Sequence, residues 1–274
     1  MKNYEGKKIW LIGASSGIGK ALARKLAHRG ATLVLSARSE NELKEIARLI
    51  EGDHHVVPLD VSDAKAVEKA TKEAHKALGE FDSVIMMAAI YEPNLLRDVK
   101  TDDIAKTTNV NLNGTLYLLQ NLLPIMRDQG KGQIALTGSV AGYRGLPKGQ
   151  PYSATKAAIQ NIAESLRAEE KELDIRLISP GFVKTPMTDK NDFDMPMAIE
   201  PDEAARHIAD GLLSKSYEIH FPKTFTYILK TLKIIPNWLY FIVAEQMVKK
   251  MEKDKKEKTE PTLEKSNDNE DKAA

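Results

Sequence analysis

Tyr152 and Lys156 stand four residues apart in "PYSATKAA", a stretch whose alanines and serine suit the start of a helix. Positions i and i+4 share a helix face, so the phenol and the ammonium can address a common target. A free tyrosine titrates near 10, so near neutral pH it needs a neighbouring positive charge to exchange a proton readily as general acid and base. A lysine one turn away supplies that charge. Taken alone, such spacing is more often an incidental surface pair, and other residues must decide. Upstream, "IGASSGIG" (12–19) carries Gly13, Gly17 and Gly19, with Ser15, Ser16 and Ile18 between them. Small residues where a strand turns into a helix let a phosphate approach backbone N–H groups at the helix N-terminus. The spacing is not G-x-G-x-x-G, and a merely tight connection would look similar. At the end of the next strand, "LVLSARS" places Ala37, Arg38 and Ser39 where a carboxylate would select NAD; an arginine there suits the 2′-phosphate of NADP.

The elements that must position these residues are legible as an alternation. Strand-like runs "KIWLIGA", "TLVLSA" and "HVVPLDV" are separated by helical patterns at Ile18–Arg29 and Glu40–Ile50. The alternation continues with "SVIMMAA", a long helix from about Asp102 to Met126, "GQIALTGS", a helix from near Tyr152, "DIRLISPG" and a last candidate strand, "YEIHFP". This pattern predicts βαβ units and a doubly wound, mainly parallel α/β sheet covered on both faces. With 274 residues and 42% hydrophobic content, one domain with a large core is expected. Forty basic against thirty-nine acidic residues leave a net charge of +1, which disfavours a general nucleic-acid binder. Without cysteine there is no disulfide, thiolate metal site or thiol nucleophile, and no residue is assigned to a metal. No signal-like apolar segment precedes the first strand and no apolar run approaches a membrane span, so a cytoplasmic protein is expected.

Taken together, these residues resemble the short-chain dehydrogenase/reductase family over roughly Gly6 to Pro222. The family's T-G-x-x-x-G-x-G is matched by Gly13, Gly17 and Gly19, with Ile12 in place of the common threonine; its Y-x-x-x-K is matched by Tyr152 and Lys156. Ser139 lies at the family's distance before the tyrosine, Asn111 sits in "VNLNG", and the P-G-x-V-x-T pattern is met by Pro180, Gly181, Val183 and Thr185. The resemblance implies a Rossmann fold, an NADP (NADPH) cofactor and carbonyl–alcohol interconversion. In that scheme Tyr152 moves the proton, and Lys156 also bonds the nicotinamide ribose. Ser139 binds the substrate oxygen, while Asn111 bends its helix and holds a water that links Lys156 to solvent. Asp60, Val61 and Ala88 join the cofactor contacts. The partners implied are a small carbonyl or alcohol substrate and, in a homodimer or other homo-oligomer, further copies of the chain. A cofactor-binding sensor that kept the fold and lost turnover is the rival reading, against which the complete Asn111, Ser139, Tyr152 and Lys156 set argues.

Departures from the pattern matter too. Met86, Met87, Ala88 and Ala89 replace the frequent N-N-A-G. The substrate loop "TPMTDKNDFDMPMAIEP" carries Met187, Phe193, Met195 and Met197, which suit either an apolar lid or the core face of a short helix. Tyr143, Leu146 and Pro147 are expected beside the same pocket. In place of the family's glycine-rich ending, Phe225, Ile228, Leu229, Leu232 and Ile235 describe a helix face. After Pro236, Trp238, Leu239, Phe241, Ile242 and Val243 form a second apolar cluster. The chain is therefore divided into a catalytic domain (1–222), an amphipathic helical extension (223–251) and a charged, disordered tail (252–274). Peripheral membrane contact through 225–250, packing over the pocket and packing against a second subunit are the roles open to the extension.

Overall fold

The computed structural model describes residues 1–249. Seven strands, β1 (Lys8–Ile12), β2 (Thr32–Ser36), β3 (His55–Val56), β4 (Ser83–Met86), β5 (Gln133–Thr137), β6 (Asp174–Pro180) and β7 (Glu218–Phe221), form one parallel sheet. Its order is β3-β2-β1-β4-β5-β6-β7. The helices are α1 (Gly17–His28), α2 (Glu40–Leu49), α3 (Ala64–Leu78), α4 (Thr101–Thr108), α5 (Gly114–Gln129), α6 (Tyr152–Glu169), α7 (Pro201–Leu213) and α8 (Lys223–Ile234). The direction of winding reverses between β1 and β4, and at such a switch point the connecting loops part and leave a crevice beyond the carboxyl ends of the strands.

The period-two alternation of strand side chains divides the core. Ile9, Leu11, Leu33 and Leu35 face one side, packed with Leu22 and Leu26 of α1 and Ile208 and Leu212 of α7. Trp10, Ile12, Val34 and Val84 face the other, against Val67 of α3, Leu118 and Leu122 of α5 and Ile159 of α6. Every central strand is buried on both faces, which is why the strands read as continuous apolar runs rather than alternating ones. The buried Trp10 ring satisfies its one donor by an Nε1–H bond to Ser36 Oγ (2.9 Å).

Four differences from the sequence expectation have physical causes. "HVVPLDV" pairs as a strand only at His55–Val56, because Pro58 lacks an N–H; Val57 and Leu59 still donate singly to Leu35 and Ala37. The expected helix from Asp102 to Met126 is two helices joined by a π-helical turn, Asn109–Asn113. Helix α3 is absent from the alternation read above, although Asp63 caps it by accepting from Lys65 and Ala66 N–H, and Gly79 ends it at φ +76°. At the C-terminal end, α8 buries Phe225 and Thr226 and half-buries Leu229 and Leu232, but Ile228 points outward and Ile235 lies past the helix end. The sheet edge accepts a narrower stripe than the spacing suggested. Beyond Pro236 the chain is helical again over 237–249. The charged tail predicted for 252–274 lies outside the described residues.

Candidate active site

Beyond the carboxyl ends of β1, β4 and β5 lies a cleft of about 440 Å³. Its floor begins at the β1–α1 turn. Gly13 adopts φ +93°, and a Cβ there would stand 2.5 Å from Ala88 N, so Ala88 passes directly behind it. Gly19 has no positive φ, but its Cβ would fall 2.0 Å from Gly13 O. Gly17 (φ +51°) lies against Thr185, whose methyl carbon would be 3.1 Å away. Ser16 occupies the N-cap of α1 without a side-chain capping bond, and no acidic residue occupies the first turn. The result is a shallow cradle at an uncapped, positive helix end, the shape and charge that a phosphate group fits.

At the end of β2, Ala37, Arg38 and Ser39 line the outer cleft. Arg38 is exposed and makes no hydrogen bond or ion pair with any described residue. Asp60 faces the same region. Burial acts to raise its pKa, but hydrogen bonds from the Ser62 hydroxyl and N–H, with the Arg38 guanidinium nearby, hold it below its ordinary value. Glu42, one turn into α2, also lines this end, a residue that the sequence motif gave no reason to select.

The inner end holds the tyrosine and the lysine. Helix α6 starts at Tyr152 and places both on its cleft-facing side. Lys156 is only 2% exposed, and its Nζ donates to Thr137 O at the end of β5 (2.7 Å) while lying 5.5 Å from the Tyr152 ring centroid. Burial pushes the lysine pKa down to about 7. Burial likewise pushes the Tyr152 phenol up, with the Ser139 hydroxyl acting in the opposite direction. Ser139 caps a short 3-10 turn, Val140–Gly142, its Oγ accepting from Ala141 N–H (3.1 Å). Gln160 holds the Ser139 carbonyl (2.9 Å). Tyr91 packs edge-on against Tyr152, with ring centroids 4.9 Å apart.

Asn111 lies behind the cleft rather than on its wall. Its Oδ1 accepts from Ile90 N–H (2.8 Å), and its Nδ2 donates to Ile90 O (2.9 Å) and Thr155 Oγ1 (3.2 Å). The side chain thus clamps the chain leaving β4 to α6, and the π turn supplies the extra residue that aims it there. The other candidates, Gly13, Ser15, Ser16, Gly17, Ile18, Gly19, Arg38, Asp60, Val61, Ala88, Ser139, Tyr152, Lys156, Pro180, Val183 and Thr185, all line the cleft. So do Ile90, Val110 and Thr188, which carry no distinguishing type or spacing in the sequence.

The expected pocket wall at Tyr143 is corrected. Its ring is buried with Val140 and Phe225, and its hydroxyl donates to Glu218 (2.6 Å), because that acceptor at the edge of the sheet draws it away from the cleft. Leu146 and Pro147 are not among the lining residues either. In the substrate loop Met187 lines the cleft, whereas Phe193 packs against Phe182 and Met197 is half exposed. The loop forms one 3-10 turn, Thr188–Lys190, instead of a helix. Two ion pairs, Lys190 to Glu92 and Lys148 to Asp192 (2.7 Å), strap it to the opposite wall.

A model of the short chain dehydrogenase family matches residues 7–195, and the chain belongs to that family. It is similar to an uncharacterized oxidoreductase of Staphylococcus epidermidis, 35% identical over 215 residues, which span 78% of this chain and 92% of the relative. A second uncharacterized oxidoreductase, from Staphylococcus saprophyticus, is 30% identical over 223 residues, covering 79% and 95% of the two chains. Among solved structures, an alcohol dehydrogenase from the archaeon Thermococcus sibiricus, complexed with 5-hydroxy-NADP, superimposes with a TM-score of 0.72 at 29% identity, covering 79% of this chain and 96% of that one. A short chain dehydrogenase/reductase from Burkholderia phymatum, in complex with NAD, shares the fold with a TM-score of 0.77 at 23% identity, over 84% and 94%. The protein is accordingly an oxidoreductase of a family whose structures hold nicotinamide dinucleotides.

Two predictions follow from this geometry. Gly19→Ala forces a Cβ into the Gly13 carbonyl, a backbone group that cannot swing aside. Overpacking of this kind costs about 1–3 kcal/mol; with that cost falling on the phosphate-shaped turn, nicotinamide-dinucleotide affinity measured by fluorescence titration should fall about five-fold or more. Gly145→Ala, with only one atom near the added carbon, should leave affinity unchanged. The second concerns Lys156, whose proton is held by the unfolded chain up to its ordinary pKa of 10.5 but released by the folded chain above about 7. Between those values the unfolded state binds more protons, so this lysine makes the ligand-free fold more stable as pH rises. Thermal melts from neutral pH up to the onset of tyrosine ionisation should show that rise diminished in Lys156→Met. An unchanged slope would contradict the assigned burial of the charge.

Proposed function

We propose that the protein is an NADP(H)-dependent oxidoreductase that interconverts a ketone or aldehyde and the corresponding alcohol, acting on an apolar or lipid-like substrate. One arrangement carries the reading: the half-buried Tyr152 and the buried Lys156 stand with Ser139 at the inner end of a cleft whose outer end presents the unpaired Arg38. Gly13, Ser15, Ser16, Gly17, Ile18 and Gly19 would hold the phosphates, Arg38 the 2′-phosphate, and Asp60, Val61 and Ala88 the adenosine side. Pro180, Val183 and Thr185 would hold the nicotinamide end. When bound, NADPH supplies the hydride that reduces the carbonyl carbon.

The chain's own residues supply the rest. Tyr152, a phenol that is protonated at neutral pH even at its ordinary pKa near 10 and that burial pushes further up, would donate its phenolic proton to the carbonyl oxygen as negative charge develops there. Ser139 donates a hydrogen bond to the same oxygen, the role of an oxyanion donor. In its protonated form Lys156 would steady the phenolate left behind, and its amine would also hold the ribose hydroxyls of a bound cofactor. Asn111 fixes the Ile90 backbone against α6 and so sets the position of the tyrosine. In the reverse direction the same groups accept the proton. Met187, Ile90 and Val110 give the open part of the cleft an apolar lining, which supports the substrate class. The Thermococcus sibiricus enzyme's 5-hydroxy-NADP complex supports the choice of phosphorylated cofactor. The same reading makes 1–222 the catalytic unit of a cytoplasmic homo-oligomer, with 223–251 an appended helical extension and 252–274 a charged tail.

The test is an NADPH-consumption assay across sterols, long-chain ketones, 3-oxoacyl thioesters, sugars and quinones. With the best substrate, kcat/KM for NADPH should exceed that for NADH about ten-fold or more, since charge-assisted phosphate contacts contribute about 1.5–3 kcal/mol. Arg38→Ala should erase most of that ratio; equal use of both cofactors by the parent would refute the assignment. Tyr152→Phe should lower kcat by about 10²–10⁴ while NADPH still binds. A phenylalanine variant that kept most of its rate would require another proton donor.

A further inference from the structure

The catalytic cleft leaves the C-terminal helical pair unexplained. Among the described residues, seven of the twelve exposed large hydrophobic ones fall between 227 and 242: Tyr227, Ile228, Ile234, Trp238, Leu239, Phe241 and Ile242. Ile234 is 81% exposed, Trp238 66% and Phe241 57%. These residues are not the frayed side of an undocked segment, because the inner sides of both helices are firmly held. Phe225 packs on Phe182, and Lys230 pairs with Glu218 (2.6 Å). Arg144 reaches Leu232 O (2.5 Å), Ile235 O (3.0 Å) and Asn237 Oδ1 (2.6 Å) across the turn at Pro236. Tyr240 is buried, its hydroxyl on Gly145 O and its ring under the Arg144 guanidinium. With the inner side occupied, Tyr227 and Ile234 lie seven residues apart on the outer side of α8, and Trp238 and Ile242 lie four apart on the outer side of the next helix.

Charge separates the candidate occupants of this outer side. Residues 223–249 contain four lysines, Lys223, Lys230, Lys233 and Lys249, against the single Glu245, in a chain whose overall charge is nearly balanced. Lys233 and Lys249 are exposed and form no ion pair among the described residues. A second copy of the same basic segment would bring like charges together, whereas anionic lipid headgroups supply the missing partner. Tryptophan and tyrosine with one apolar and one polar end, and lysines with long stems, suit the headgroup boundary. No helix among the described residues is long and apolar enough to cross a bilayer, so the pair would lie on the surface. We propose that the outer side of the 223–249 helical pair docks the protein on an anionic lipid bilayer, with Ile234, Trp238, Phe241 and Ile242 entering the interface around the Pro236 turn.

The docking is independent of the catalytic reading, since vesicle binding needs no turnover. Yet it bears on that reading: Arg144 and Gly145 belong to the loop between Ser139 and Tyr152, so a docked bilayer lies beside the loop that carries the catalytic serine.

The experiment is co-sedimentation of the full chain with phosphatidylglycerol/phosphatidylcholine vesicles and with pure phosphatidylcholine vesicles, at low and high salt. The full chain should pellet with the anionic vesicles at low salt, with affinity about ten-fold or more above that for the neutral ones, as expected for a few lysines near a charged surface. The triple variant Ile234→Ser, Trp238→Ser, Phe241→Ser should lose that binding while retaining NADPH binding and its circular dichroism spectrum. Lys233→Glu alone should weaken anionic binding and leave the residual neutral binding unchanged. A full chain that stays in the supernatant, or a folded triple variant that pellets equally, overturns the proposal. A triple variant that changes only oligomeric mass, with no vesicle binding by the parent, also overturns it and assigns the patch to contact between copies.

Discussion

A lysine amine buried at the end of a central strand is the constraint on which the site depends. Lys156 gives up its hydration for a single protein hydrogen bond, to the Thr137 carbonyl, and its pKa falls accordingly. Such a position is stable only within rigid surroundings, and the sheet provides them. Strand β5 presents the carbonyl, and α6, packed through Ile159 and Ala163 onto the sheet, presents the amine and the phenol one turn apart. Asn111 closes the arrangement from behind by joining the chain after β4 to Thr155 of the same helix. The Tyr152 phenol is thereby fixed relative to the mouth of the β1–α1 turn.

The two ends of the cleft are built by opposite means. At the phosphate end, side chains are absent where backbone must approach backbone: Gly13 against Ala88, Gly19 against Gly13. At the chemical end, side chains are crowded: Tyr91 packs edge-on against Tyr152, and burial pushes the phenol pKa further up. Met86, Met87, Ala88 and Ala89, where the family often has asparagines, preserve the first requirement because alanine still lets the chain pass beside Gly13.

Much of this was legible in the sequence because it depends on local type and spacing. The glycines, the Y-x-x-x-K pair, Ser139 and the post-β6 pattern all lie at the strand ends that the alternation of elements predicted. What was not legible depends on partners distant in the chain. Tyr143 is drawn out of the cleft by Glu218, seventy-five residues later. Asn111 serves Ile90 instead of standing on the cleft wall, and the π turn that permits this leaves no trace in a 3.6-residue pattern. Helix α3 carries its own signals, the Asp63 cap and the Gly79 stop, which an alternation of apolar strand-like runs does not take in. Ile228 falls on the exposed side of α8: periodicity shows that a helix has an apolar face but not how wide a stripe the sheet edge will accept.

The central claim is that Tyr152 and a nicotinamide cofactor act together on one carbonyl. The most direct measurement uses NADPH carrying deuterium at the transferable position of the nicotinamide ring, with the best carbonyl substrate, and mass spectrometry of the alcohol formed. The account predicts one deuterium on the carbinol carbon of the product, and at most about a hundredth of the parental amount of labelled product from Tyr152→Phe over the same interval. A product without deuterium on carbon, or full labelling at the parental rate from the phenylalanine variant, would contradict it.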